Sequence, residues 1–262
     1  MRTSVVQLAA GTDAEANLES IRRLVRAAAG DGGELIVVPE AAMYDFGAPD
    51  LPLGPPAQSV DGSFVGALGS LARETSTTLV AGMFETSPDP DRPYNTLVVV
   101  GPDGELVASY RKTHLYDSFG YQESERLLAG EGKPVVVRVG DFSVGLQTCY
   151  DLRFPEFSRA LVDAGADLLV VPAAWVRGPL KEEHWATLLR ARAIENTVYV
   201  AAAAQTAPTY AGRSMIIDPM GVAMAALGDE TGTAGAVVEP ERLEAVRRRN
   251  PSLANRRLPT MR

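Results

Sequence analysis

The sequence predicts an α/β fold in which two sheets pack face to face with helices outside. Three observations predict it. Several strands are apolar on both faces, as in "ELIVVPE" (34–40), "ADLLVVPAAW" and "VYVAAAAQT". Only about five segments carry helical periodicity. Hairpins interrupt the strand–helix alternation, which argues against a simple doubly wound sheet.

The elements follow in order. Residues 3–10 read as a strand. Thr12-x-x-Glu15 reads as a capping box, and Leu18, Ile21, Val25 and Ala28 continue as a helix that Gly30 can end. The "ELIVVPE" strand stops at Pro39-Glu40. Residues 47–62 are a Gly/Pro-rich loop, 63–75 a helix and 77–85 a strand. "NTLVVVGPDGELVASYRK" is a hairpin turning at Pro102 and Asp103. Residues 113–134 form a long loop, and long loops in compact domains are often functional. "PVVVRVGDFSVGLQTCY" is a second hairpin. Pro155 opens a helix reaching about Gly165. Residues 182–197 form a helix, and "SMIIDPMGVAMAAL" a hairpin around Asp218-Pro219-Met220-Gly221. A last strand near 234–238 leads into a helix over 240–249. No linker or repeat splits the chain, so one domain over 1–262 is expected.

Composition narrows the function. Of 262 residues, 46% are hydrophobic and 22% charged, with a net charge of −8. That charge disfavours nucleic acid and anionic membranes as partners. The basic cluster Arg247, Arg248, Arg249, Arg256 and Arg257 suits a solvated helix end. One cysteine forms no internal disulfide, which fits a reducing compartment. Two histidines and one cysteine make no zinc-type cluster, so no metal and no cofactor are expected. No apolar run reaches the ~18 residues of a membrane span, and no signal peptide is evident, so a cytoplasmic protein is expected.

Three strands run into a reactive side chain: Glu40, Lys112 and Cys149. In α/β architectures reactive groups gather beyond the carboxyl ends of strands. A thiolate is a nucleophile, and free Cys titrates near ~8.5, so it needs a base or a positive field. The start of the 155–165 helix supplies part of that field, and the sulfur is expected to be ionised by its neighbours. Glu40 can take the thiol proton, return it to a leaving amine and then activate water. Lys112 and the backbone N–H of Tyr150 can stabilise an oxyanion. Each residue alone also fits a structural role: Cys149 as packing, Glu40 as a cap, Lys112 as a solvated strand end. A Cys–His arrangement is the competing chemistry. His184 sits inside a helical pattern beside Trp185, where packing suits it. His114, two residues beyond Lys112, supports the site or bonds the loop.

These residues resemble a known family. "VVPE" with Glu40, "YRKTHLYDSFGYQESERLLAG" with Lys112 and Glu123, and "GLQTCYDLRFPE" with Cys149 look like the three blocks of the nitrilase superfamily, the carbon–nitrogen hydrolases. "HWATLLRARAIENTVYVAAAAQT" and "GRSMIIDPMG" extend the match. The resemblance implies a Glu–Lys–Cys triad at Glu40, Lys112 and Cys149, with Glu123 positioning substrate and lysine. It implies a four-layer α-β-β-α sandwich, two mixed sheets face to face with helices outside. It also implies a homodimer or larger homo-oligomer, with the helices after the cysteine and after "VPAAW" at the interface. Tyr150-Asp151 after the cysteine looks like the amidase branches, and is most similar to omega-amidases and deaminated-glutathione amidases. Those enzymes cleave a small amide and release ammonia through a cysteine thioester. N-carbamoyl or nitrile hydrolysis, or a non-catalytic scaffold, are the alternatives.

Substrates of that branch carry a carboxylate, for which Arg153, Arg177 and Lys181 are candidates. Arg153 could equally pair with Asp151 or Glu156. Tyr44 and Trp175, just beyond strand ends, are candidate pocket walls. Trp175, Arg177 and Arg213 depart from residues common in omega-amidases. Arg190, Arg192, Glu195 and Asn196 read as structural, with Arg192 and Glu195 spaced to pair.

Overall fold

In the computed structural model, which describes residues 1–258, apolar runs become strands buried on both faces. The elements are β1 (Arg2–Gln7), α1 (Ala14–Gly30), β2 (Leu35–Val37), α2 (Ser63–Thr75), β3 (Thr78–Glu85), β4 (Tyr94–Val100), β5 (Leu106–Arg111), β6 (Asp117–Ser118), β7 (Tyr121–Gln122), β8 (Val136–Val139), β9 (Phe142–Leu146), α3 (Pro155–Asp163), β10 (Leu168–Ala173), α4 (Lys181–Asn196), β11 (Tyr199–Ala204), β12 (Met215–Ile217), β13 (Ala223–Ala226), β14 (Gly232–Val237) and α5 (Pro240–Arg249).

They form two mixed sheets, ordered β14-β1-β2-β3-β4-β5 and β13-β12-β11-β10-β9-β8. In the first, β1, β2 and β3 run parallel. In the second, β9, β10 and β11 do. Antiparallel strands flank both trios. Parallel strands need layers on both faces, and alternation shows them. Val5, Val37 and Val80 are registered neighbours that pack toward the second sheet with Val144, Leu146, Leu168 and Val170. The next residues along, Val6, Ile36, Val38 and Leu79, join a second core with Ile21 and Val25 of α1 and Leu68 of α2. Trp185 and Leu189 of α4 and Leu161 of α3 cover the outer face of the second sheet. The two sheets with helices outside match the fold expected from sequence.

Two local expectations change. Asp13, not Thr12, caps α1, its carboxylate accepting from Glu15 N and Ala16 N at 3.1 Å each. The 113–134 segment holds the small β6–β7 hairpin and a 3₁₀ turn over Glu123–Glu125. The C-terminal cations are less solvated than expected: Arg247 pairs with Asp167 at 2.9 Å, and Arg256, beyond α5, with Asp163 at 2.6 Å. Arg192 pairs with Glu195 at 2.9 Å. The last four residues of the expected domain lie outside the described ones. No helix among the described residues is long and apolar enough to cross a membrane.

Candidate active site

Glu40, Lys112, Glu123 and Cys149 all line one cavity of about 600 Å³. Lys112 follows β5 directly, whereas Glu40 and Cys149 sit three residues beyond β2 and β9. The chain after Glu40 turns sharply, with Ala41 at φ 53°. It lies flat on Gly82 of β3, where a Cβ would stand 2.7 Å from Glu40 Cα and Ala41 N. Gln205 Nε2 holds the carbonyls of Glu40 and Ala41 at 3.1 Å each.

Charge is concentrated and dry here. Lys112 Nζ donates to Glu40 Oε1 at 2.9 Å and to Glu123 Oε1 and Oε2 at 3.0 and 2.9 Å. The three side chains are 2%, 1% and 1% exposed. Ala174 N donates to Glu40 Oε2 at 2.6 Å. Tyr116 N donates to Glu123 Oε2. Burial alone would lower the Lys112 ammonium, but Glu123 and Glu40 outweigh it and hold the lysine well above its usual range. Glu123 is pushed up, by burial first and by the like charge of Glu40, against the pull of Lys112.

Cys149 opens a 3₁₀ turn, Cys149–Arg153, with φ 45°, and α3 begins only at Pro155. The expectation of a sulfur ionised at rest is overturned. Burial, then the charge of Glu40, drive the thiol well above its usual range, and Lys112 only partly opposes them. Glu40 acts on the thiol chiefly through its charge and, to a smaller extent, through hydrogen bonding. A protonated sulfur beside a carboxylate is set for proton transfer during attack rather than before it.

Asp151 fixes this turn. It is fully buried and accepts from Thr148 N (2.9 Å), Tyr110 Oη (2.7 Å) and His114 N (3.0 Å). Its Oδ1 also meets His114 Nδ1 at 2.7 Å. His114 therefore supports the site from behind and stacks on Phe154 at 3.8 Å. His184 lies 3.5 Å from Arg153 Nη2 on α4.

The cavity wall departs from expectation at two residues. Trp175 and Tyr150 line it, but Tyr44 does not. Tyr44 is half-buried against the core that α1 and α2 also pack on, and Phe46, Gly47 and Pro49 line the cavity instead. Arg153 pairs with neither Asp151 nor Glu156. Its guanidinium stacks 4.7 Å from the Trp175 ring and lies behind the wall. Arg177 and Lys181 do line the cavity. Lys181 Nζ donates to Tyr116 Oη at 2.9 Å and sits 4.3 Å from the Phe119 ring. Burial and the Arg153 charge lower its pKa.

Sequence reasoning missed Asn95, Tyr116 and Asp151. Asn95 left one signal, an amide side chain just ahead of the apolar run "LVVV". Its Nδ2 donates to Glu40 Oε1 at 2.7 Å.

A strand-end thiol thus shares one cavity with a glutamate and a lysine held between two carboxylates, and similarity gives the chain its family. Residues 2–248 match the carbon–nitrogen hydrolase model. The chain is 43% identical to the deaminated glutathione amidase of Escherichia coli O157:H7, over 93% of this chain and 92% of that one. It superposes on the Caenorhabditis elegans NitFhit protein with a TM-score of 0.89 and 32% identity, over 98% of this chain. It spans 65% of that longer chain. An amidase from Nesterenkonia sp. AN1, whose active-site cysteine has added acrylamide, superposes with a TM-score of 0.80 at 28% identity, over 95% of this chain and 99% of that one. The chain belongs to the carbon–nitrogen hydrolase family of the nitrilase superfamily. It is an enzyme, a hydrolase.

Proposed function

We propose that the chain is an amidase that cleaves the terminal amide of a small carboxylate-bearing substrate through a thioester on Cys149. The supporting observation is the Lys112 ammonium held between two buried carboxylates on the cavity that Cys149 lines.

Cys149 Sγ attacks the amide carbonyl as Glu40 takes the S–H proton. Lys112 Nζ and the Tyr150 N–H stabilise the oxyanion. Glu40 returns the proton to nitrogen, the C–N bond breaks and ammonia leaves. Water then attacks the thioester with Glu40 as base, which frees the acid and restores the thiol. Glu123 keeps Lys112 charged and aimed.

The aromatic wall around Lys181 suggests the rest of the substrate. Lys181 makes no ion pair among the described residues, stands among Tyr116, Phe119 and Trp175, and is backed by the Arg153 charge. A substrate carboxylate would neutralise it. The E. coli relative's name, deaminated glutathione amidase, suits such a substrate. A single domain over 1–262, a homodimer and a cytoplasmic setting complete the proposal.

An ammonia-release screen over omega-amides of dicarboxylates, neutral amides, carbamoyl compounds and nitriles tests it. The expected result is ammonia without carbon dioxide, fastest from the anionic omega-amides. Turnover confined to nitriles or carbamoyl compounds would reject it.

A further inference from the structure

We infer that Asn95 is a positioning residue for the acid–base machinery, its side-chain amide bridging the Glu40 and Glu123 carboxylates that share the Lys112 ammonium. The inference rests on the Glu40–Lys112–Cys149 reading above. Asn95 begins the inward run of β4 and is 1% exposed. Its Nδ2 donates to Glu40 Oε1 at 2.7 Å and to Glu123 Oε1 at 3.4 Å. Its carbonyl accepts from Lys112 N at 2.8 Å. Its side chain therefore touches both carboxylates, and its main chain pairs with the backbone of the residue that carries the ammonium.

The orientation of the amide is fixed by chemistry. Flipped, Oδ1 would face two carboxylate oxygens, which offer no donor while ionised. Held as it is, Oδ1 is buried without a hydrogen-bond partner. An orphaned buried acceptor is a cost. A residue kept only to fill space would avoid it, since an apolar side chain fills the same volume.

The gain lies in charge balance. Two carboxylates share one ammonium, and two like charges this close favour protonating one of them. The Asn95 donors support the ionised pair and keep Glu40 available as a base. The other groups facing Glu40 are Lys112, the Cys149 thiol, the Ala174 N–H and, at longer range, the Tyr210 hydroxyl. On the neighbouring strands, Glu85 is committed to Arg111 and Thr96.

The test is Asn95→Leu, with kcat, KM, the pH–rate profile and the pH dependence of Cys149 alkylation by iodoacetamide measured on the full chain. The expected result is a kcat lower by about 100-fold with KM little changed. The acidic limbs of rate and alkylation should both move to higher pH, by about one unit. Asn95→Ser, smaller and still polar, carries the same readouts if the leucine variant does not fold. Unmoved limbs overturn the inference, even where the melting temperature falls, because a packing role predicts only that. Alkylation needs no substrate, so it decides the point even if the wild type proves inactive on every amide.

Discussion

Asp151 Oδ2 accepts the Tyr110 hydroxyl at 2.7 Å, and through that bond the turn carrying Cys149 is tied to the strand carrying Lys112. His114, on the other side of Lys112, bonds the second oxygen. In Asp151→Asn one oxygen becomes an NH₂ group facing donors. We expect a stability loss of about 2–4 kcal/mol in denaturant titration. We also expect kcat to fall at least about 10-fold as thiol and ammonium drift apart. An unchanged kcat would show that the link does not position the site.

Gly82 carries a similar weight for Glu40. A methyl group there meets Glu40 Cα and Ala41 N at 2.7 Å, and both are backbone atoms that cannot swing aside. Gly82→Ala should therefore lower kcat by about 10-fold or more while KM changes little, read by steady-state kinetics.

The buried thiol makes stability fall in alkali. Its folded pKa is raised, by burial and then by Glu40, whereas the unfolded thiol titrates near ~8.5. The thiol's contribution is fully present below that unfolded value. It is lost as pH rises toward the folded one, at up to about 1.4 kcal/mol per pH unit. Between pH 8 and 10 the melting temperature of Cys149→Ala should thus decline less steeply than that of the wild type. Parallel curves would mean that the folded thiol ionises as readily as a free one.

Lys181→Met separates recognition from chemistry. KM for anionic omega-amides should rise by about 10-fold or more, as a charge-assisted bond is lost. Neutral amides should be little affected. Equal effects on both substrates would move the carboxylate site elsewhere.

Much of this was legible in sequence because burial writes itself in apolar runs. β2, β10 and β11 are apolar throughout, Glu40 lies just past one such run, and Lys112 and Cys149 lie at or just past the ends of β5 and β9. The β6–β7 hairpin was not legible, since two-residue strands carry no period. Tyr44 was misread because one left-handed residue, Ala41, redirects the chain behind Glu40. Asn95 and Asp151 gain their roles from partners distant in sequence, 55 residues away for Glu40 and 41 for Tyr110, and no local pattern reports those. The state of the sulfur also escaped, because it depends on how deeply the thiol is buried and then on the Glu40 charge beside it.

The central claim is a covalent acyl group on Cys149. Intact-protein mass spectrometry after acid quench during turnover of an omega-amide tests it most directly. The account predicts an added mass equal to the substrate less ammonia, mapped to the Cys149 peptide and lost in Cys149→Ala along with turnover. Ammonia release at the wild-type rate by Cys149→Ala would contradict it.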